Sequence, residues 1–514
     1  MNIKDNSIII LANGTKEQFI KEFRKNHQFA VVTILELDEF KKKYYFDYTK
    51  EAIYYVHKHL GVIKDIAEIY LQNLYFIRDH VDVPKVKFLK EIKAELDDKK
   101  LLLYDVQFKK YLNGKDVYVY KLSFLDNFYI NMIEEIKSIA NVHTIEDDTH
   151  DTCIKPLYEL SNKEREVDFI ASEIASLIKR GVPIDNIKIA ISNDDYIFSL
   201  RRVFKEFHIP IELPSSEVVS CTVLASKFAE YYSSDMTTTL KKLEEHVKSA
   251  RDREVFKLLL ATLNEYYWCD DYMDVFEFIM SDLKKKKLPS KTYKHAVRIV
   301  DFLNDSISQD DYVFLLNFNQ GIMPINSKDE DYLNDETKRA LGLSDSIDLN
   351  KKRIAKTRQL ISTLTNLIVT YAARDLKGEL YISNAYDEKL FQRFTPSMSF
   401  EHSEEYNKRI LLCAKDENKK YGVTTEILEK LLAHYIDEPY MTFDNTFKGI
   451  NSQSLKEFLN DKLTLSYSSM DDYYKCSFRY YLDYILHVDK FEDSFATVTG
   501  TIFHEVLSKC FIEP

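Results

Sequence analysis

The residue types with the most chemical potential crowd the C-terminal stretch from Leu463 to Pro514. There Gly500-Thr501-Ile502-Phe503-His504 sets a histidine one helical turn behind a glycine. A neutral imidazole is a common ligand for a divalent metal, and a glycine lets the backbone approach another group closely. Upstream, Cys476 stands in an aromatic run with Tyr473, Tyr474, Phe478, Tyr480 and Tyr481. Read by itself, its thiol packs as a small hydrophobe if buried. His504, read by itself, is a histidine satisfied in a core. Leu465–Met470 is predicted to be a short strand running into a helix, with Ser468 or Ser469 as N-cap and Asp471 and Asp472 in the first turn. Gly500 is predicted at the entry of a second, apolar helix.

Other constellations fall short on spacing. Asn13-Gly14-Thr15-Lys16 follows a short apolar run, where a phosphate-binding loop would sit. Such a loop needs G-x-x-x-x-G-K-[ST] to wrap phosphates with backbone N–H groups, and this one has a single glycine and a lysine out of register. No ATP site is expected. Leu37-Asp38-Glu39 imitates the acidic pair that accompanies such loops, and without the loop it reads as the start of a solvated helix. Glu135-Ile136-Lys137 matches Glu-x-Lys by chance and lies in a predicted helix. His143, Glu146, Asp147, Asp148 and His150 lack the helical spacing of a zinc motif and read as a polar linker. Lys284–Lys287 could touch a nucleic-acid backbone, but reads more simply as a solvated helix end. The six cysteines are dispersed without a C-x-x-C pair, so neither a disulfide framework nor a complete zinc site is expected.

These residues must be positioned by strands that alternate with helices. Ser7–Leu11, a helix over Thr15–Arg24 and Phe29–Leu35 form a strand–helix–strand opening. Residues 50–100 read as helical, interrupted at Asp82-Val83-Pro84. Leu101–Val106 and Val117–Leu125 read as strands around an Asn113-Gly114 turn, followed by a helix to about Ala140. A second α/β unit begins at Leu157, with helices over Asn162–Arg180 and Tyr196–Phe207 and strands at Ile187–Ile191 and Ile209–Ile211. Residues 225–305 read as an inserted helical subdomain. Tyr312–Phe318 is a buried strand, Ile361–Tyr371 a helix followed by a strand, and residues 385–460 a polar helical connector. This alternation predicts an α/β fold with mostly parallel sheets.

With 514 residues, 45% hydrophobic and 30% charged, the chain has the composition of a multidomain globular protein. A net charge of −12 argues against nucleic-acid binding over the whole surface, leaving a localised basic channel possible. No apolar run is long enough to span a membrane. A cytoplasmic protein is expected.

The C-terminal stretch resembles the start of the PD-(D/E)XK nuclease domain of RecB-like and AddB-like helicase–nucleases. The resemblance rests on Ser466, Ser468, Cys476, Phe478, Tyr480, Tyr481, Gly500 and His504. Residues 157–215 resemble the second motor domain of UvrD-like superfamily 1 helicases through Glu166, Ile170, Gly181, Val182, Ile187, Ile189, Tyr196, Phe204, Ile209 and Pro210. Asn319-Gln320-Gly321-Ile322-Met323-Pro324 is similar to the N-E-G-x-x-P turn of UvrD- and AddB-like proteins. Thr370-Tyr371 with Asp375 and Gly378 is similar to their T-Y…D…G segment, where an arginine such as Arg374 would reach ATP. With no phosphate loop opposite, Arg374 is expected in a surface ion pair. Together these features resemble an AddB/RexB-like subunit.

The resemblance implies tandem RecA-like, UvrD-type parallel-sheet domains with helical insertions, followed by the N-terminal part of an α/β PD-(D/E)XK domain. The implied layout is a motor-like domain without Walker A over 1–150, a second over 151–225 and 309–385, a helical insertion over 226–308, a connector over 386–460 and the nuclease start over 461–514. It implies DNA-end processing in double-strand break repair and recombination, by a Mg²⁺-dependent exonuclease, with an AddA/RexA-like partner subunit. His504 would contact Mg²⁺, and Cys476 would be one of four ligands to a [4Fe–4S] cluster. The acidic residue and Glu-x-Lys that complete such a site are expected later than His504, so no complete catalytic set is expected here and the chain reads as a nuclease cut off within its nuclease domain. The alternative is a non-catalytic scaffold that binds DNA or a partner.

Overall fold

Ile8, Ile9 and Ile10 are wholly buried because both faces of their strand are covered. A continuous apolar run is what a central strand of a parallel sheet requires. In the computed structural model this strand, β1 (Ser7–Leu11), pairs in parallel with β2 (Val32–Glu36) and with a later strand. The structure describes residues 3–16, 19–20, 23–24, 31–78, 80–120, 124–145, 153–214, 217–290, 293–305, 307–375, 378–435, 449–459, 462–488 and 495–510. The helix expected over Thr15–Arg24 falls partly outside them, as do Glu146, Asp147, Asp148 and His150.

Helix α1 (Leu37–Tyr44) follows β2 directly. After β3 (Asp47–Tyr48) come α2 (Lys50–Leu60), α3 (Lys64–Asn73) and α4 (Pro84–Asp98), with Pro84 at the first position of α4. A proline is tolerated there because that N–H has no helical partner. The hairpin expected across Asn113-Gly114 does not form. Instead β4 (Leu102–Leu103) pairs with β3, and α5 (Val106–Leu112) occupies the next stretch. Asp105 caps α5 by accepting the Phe108 N–H at 2.8 Å, and Phe108 and Leu112 bury one helical face. Gly114, with φ +72°, ends the helix rather than turning a hairpin. Strand β5 (Asp116–Tyr120), helix α6 (Asn127–Ile136) and strand β6 (Asn141–Ile145) complete a four-stranded parallel sheet of order β2-β1-β5-β6. His143 belongs to β6, where its Nε2 meets Asp116 at 2.7 Å.

The second sheet begins with β7 (Lys155–Leu160), α7 (Lys163–Lys179), β8 (Ile187–Ala190), α8 (Ile197–Glu206) and β9 (Ile211–Glu212). Helices α9 (Val223–Tyr231), α10 (Met236–Glu244), α11 (Ala250–Asn264) and α12 (Phe276–Lys285) then leave the sheet. The chain returns as β10 (Val297–Val300) and β11 (Tyr312–Leu315), passes through α13 (Asp335–Ala340) and α14 (Ser346–Thr363), and continues as β12 (Asn366–Ala372). A two-residue ladder joins β13 (Arg374–Asp375) to β14 (Gly378–Glu379), and β15 (Phe391–Phe394) follows. The sheet has seven strands in the order β15-β7-β12-β11-β8-β10-β9, and all its pairings are parallel. The fold is therefore α/β with parallel sheets. Strands β10 and β15 were not expected. β10 is four residues long, and only Phe391 of β15 is buried, so neither shows a period of its own.

The two sets of departing helices form one body. Leu71, Leu89 and Ile92 share a core with Leu259, Ile279 and Leu283. Within it, Lys64 and Asp282 form a buried pair; Tyr266 donates to Asp282 at 2.5 Å and Lys64 to the Phe278 carbonyl at 2.9 Å. Burial draws the Asp282 carboxyl upward, but Lys64 and Tyr266 outweigh it and hold it below the ordinary range. The lysine run joins in: Lys285 pairs with Asp65, Lys286 with Glu265 and Lys287 with Asp194. Lys284, Lys285 and Lys287 are exposed, as the reading of a solvated helix end expects, and the last three lysines of the run also pair with the protein's own acids.

The chain divides into two compact units, Met1–Ile410 and Leu411–Pro514, with α15 (Glu404–Tyr421) crossing the division. The second unit holds α16 (Glu426–His434), α17 (Ser452–Phe458), α18 (Tyr467–Lys475), α19 (Ser477–Tyr480) and α20 (Phe495–Cys510).

One buried acid fastens the strand ends of the second sheet. Glu166 on α7 has no exposure; one carboxylate oxygen accepts the Asn317 N–H at 2.8 Å and the Thr370 hydroxyl at 2.5 Å, and the other accepts the Tyr196 hydroxyl. Burial raises its carboxyl above the ordinary value of 4.5 despite these bonds. The folded state therefore favours the protonated acid. Its contribution to stability is greatest below about 4.5 and declines as pH rises toward the folded value. Glu166→Gln, a non-ionising stand-in, is expected to match the parent within about 1 kcal/mol at acidic pH and to gain on it as pH rises. Glu166→Ala, which leaves three buried donors unpaired, should cost about 3 kcal/mol or more. Urea unfolding of the parent and both variants between acidic and neutral pH checks this, and a difference between parent and Gln variant that ignores pH contradicts it.

Candidate functional site

The loop after β1 meets an acceptor supplied by the chain itself. Glu36 ends β2, and its carboxylate accepts the backbone N–H groups of Gly14 at 3.0 Å and Lys16 at 3.1 Å. Lys16 Nζ pairs with Glu39 at 2.7 Å, and that bond holds the Glu39 carboxyl below its ordinary value. Asn13 bonds Asp38 twice, donating from Nδ2 at 2.7 Å and accepting the Asp38 N–H at 2.9 Å. Asp38 also accepts the Tyr129 hydroxyl at 2.7 Å and pairs with Lys41 at 2.6 Å. Backbone N–H groups and a lysine at the end of a parallel strand are the donors that a phosphate would use. Here carboxylates hold them. Asp38 and Glu39 lie in the first turn of α1, the helix start read from the sequence, and they also anchor the loop; Glu36 is the residue that reading the sequence missed. No periodicity marks it, since its role comes from contacts across twenty residues of chain.

The 317–324 turn is equally wired. Asn317 takes a left-handed conformation, φ +58°, and Gly321 has φ +76°. Asn319 is 1% exposed; its side chain donates to the Ala372 carbonyl at 2.8 Å and accepts the Ala372 N–H at 3.2 Å. It thereby closes the end of β12 as a further strand would. Arg374 lies just beyond, exposed, opposite Glu379 in the β13–β14 ladder. The ion pair expected of it does not form among the described residues.

The C-terminal segment departs from expectation in two places. Residues 462–466 form no strand, and the cap of α18 is Ser466, whose hydroxyl accepts the Ser469 N–H at 3.1 Å while Ser469 Oγ accepts the Ser466 N–H at 2.8 Å. The reciprocal box fixes the helix start earlier than Ser468 or Ser469 would. Gly500 is not at a helix entry; it is the sixth residue of α20, with His504 one turn later on the same face. His504 is exposed, as are Ile502, Phe503, Val506 and Leu507. Much of the aromatic run is exposed too, with Tyr480 buried against Tyr473 and Tyr484. Cys476 is exposed, and its sulfur caps α19 by accepting the Arg479 N–H at 3.4 Å.

The donor sets do not suit the groups that the resemblance implies. Mg²⁺ takes near-octahedral hard oxygen ligands, and His504 offers one nitrogen while its neighbour Glu505 pairs with Lys509 at 2.8 Å. A [4Fe–4S] cluster takes four thiolates, and Cys476 offers one. Among the described residues no three His, Cys, Asp or Glu side chains converge as a metal site.

Residues 464–513 match a family model described as the PD-(D/E)XK nuclease superfamily. The chain is 22% identical over 316 residues to an ATP-dependent helicase/deoxyribonuclease subunit of Lactococcus lactis subsp. cremoris strain SK11, covering 52% of this chain and 28% of that protein. It is 23% identical over 317 residues to the exonuclease/helicase subunit RexB of strain MG1363, with the same coverage. To an ATP-dependent helicase/deoxyribonuclease subunit of Clostridium perfringens strain SM101 it is 22% identical over 350 residues, 60% of this chain and 30% of that protein. The chain is thus AddB/RexB-like over about half its length, and it spans less than a third of the length of these curated relatives.

Two charge-assisted bonds from Glu36 to a partly exposed loop should contribute roughly 1–2 kcal/mol. Glu36→Ala is expected to lower the midpoint of chemical denaturation accordingly. Millimolar Mg-ATP is expected to shift the parent's melting temperature by no more than about 1 °C, since a ligand stabilises only in proportion to its binding. A clear upward shift with ATP would contradict the filling of this loop by Glu36.

Proposed function

We propose that this chain belongs to the nuclease-bearing, ATPase-inactive subunit of an AddAB/RexAB-like complex that processes DNA ends in double-strand break repair and recombination. The observation that carries the reading is the coincidence of two likenesses: a PD-(D/E)XK match confined to residues 464–513, and relatives named as helicase/deoxyribonuclease subunits over half of the chain. The two parallel sheets, with their shared helical body, support motor-like domains that hold DNA and a partner helicase–nuclease subunit. The filled loop after β1 supports a body that works without its own nucleotide. His504 is assigned a contact to Mg²⁺, which needs carboxylates from elsewhere in the whole protein to form an exonuclease site. The described residues carry no hydrolytic step by themselves. Cys476 as a [4Fe–4S] ligand likewise needs three further thiolates. No helix among the described residues is long and apolar enough to cross a membrane, which accords with work in the cytoplasm.

The alternative reading is a non-catalytic scaffold for DNA or a partner subunit. One experiment separates the two. In the native protein assembled with its partner, His504→Ala is expected to lower Mg²⁺-dependent exonuclease turnover at least about a hundredfold while DNA binding is retained. Unchanged turnover would favour the scaffold.

A further inference from the structure

A cleft of about 580 Å³ opens where β7, β12 and β15 end. In open parallel sheets this carboxyl edge is where ligands are usually held. Its wall carries two arginines, Arg374 beyond β12 and Arg393 on β15, against the single carboxylate of Glu159. Glu159 is already engaged, because it accepts the Tyr371 hydroxyl. The cleft is therefore net positive on a chain of net charge −12.

The two arginines differ in how they are held. Arg393 lies with its guanidinium 5.5 Å from the centroid of the Tyr386 ring, which itself stacks on Phe391 at 5.6 Å. That packing pre-orients the guanidinium at little entropic cost. The Arg374 side chain makes no hydrogen bond or ion pair among the described residues, so its donors face the cleft uncommitted. Phe394 completes the wall. It is 44% exposed, with its ring 5.9 Å from that of Tyr158 on the neighbouring strand. Ser161 and Thr395 add hydroxyl donors at the rim.

A planar fork matches phosphate oxygens, and an exposed aromatic face matches a nucleobase. A volume of this size takes a small organic ligand of nucleotide dimensions. We propose that the cleft binds one unpaired nucleotide of a DNA strand, its phosphate between Arg374 and Arg393 and its base against Phe394. The choice of a DNA strand over a free nucleotide rests on the function proposed above. The sequence hid this site because Arg393 and Phe394 belong to an edge strand with no alternation, which read as part of a connector.

The test is fluorescence anisotropy of a labelled short oligothymidylate with the full 514-residue chain across a range of salt concentrations. Arg374→Gln and Arg393→Gln should each weaken binding about threefold or more and flatten the log–log salt slope by about 0.7. Arg374→Lys should keep the slope. Phe394→Ala should weaken binding roughly tenfold with the slope unchanged. Lys257→Gln, on an exposed turn of α11, serves as the control, and circular dichroism confirms folding of each variant. Variants that bind like the parent would overturn the cleft as a DNA contact while leaving the proposed function intact. If the parent binds no oligothymidylate but binds thymidine 5′-monophosphate in an Arg374-dependent way, the DNA strand is overturned as the source. Should the parent bind neither, the DNA reading of the chain falls together with this site.

Discussion

A carboxyl group with no access to water must be satisfied by the protein, and that demand organises the second sheet. Glu166 gathers the Asn317 N–H, the Thr370 hydroxyl and the Tyr196 hydroxyl, which come from the ends of two strands and the start of a helix. Moving any of these elements leaves a buried polar group unpaired, so the strand ends have one arrangement. The 317–324 turn then inherits its position, with Asn319 closing β12 through its amide. The first sheet follows the same logic nearer the surface, where Glu36 takes the N–H groups of Gly14 and Lys16. In both sheets the carboxyl edge, where ligands of such folds ordinarily sit, is fastened in part by the protein's own acids.

The helical body is held differently. Its two halves come from segments separated by more than a hundred residues, and apolar packing of Leu71 and Leu89 against Leu259 and Leu283 joins them. Apolar contact is permissive about register, whereas Lys64, Asp282 and Tyr266 are not. The buried pair fixes how α3 meets α12, and Lys285 extends the match outward to Asp65 and Glu68. The basic run thus serves the protein's own architecture, and the positive character left for a polyanion lies elsewhere.

Much of this was legible in the sequence where a single physical rule dominates. Ile8–Ile10 announce a buried parallel strand, and the spacing of Val167, Ile170, Ile174 and Leu177 announces α7. The errors arose where tertiary contacts decide. Leu101–Leu125 reads as a hairpin until Asp105 is recognised as a helix cap. β10 and β15 are too short to carry a period. Gly500 lies inside α20 because glycine weakens a helix without forbidding it. The motif residues of the nuclease likeness were visible through their resemblance to a known family, whereas Glu36 and Phe394 meet partners far away in the chain.

On the proposed reading, the bonds from Glu36 to Gly14 and Lys16 close the loop after β1 to nucleotide, and a grip of this body on DNA is then independent of it. The most direct measurement is the affinity of the chain for a duplex end with and without saturating Mg-ATP at one fixed salt concentration. Equal affinities are predicted, because a ligand that does not bind cannot shift an equilibrium. A change of about tenfold or more would show a working nucleotide site coupled to DNA and would contradict this picture of the loop.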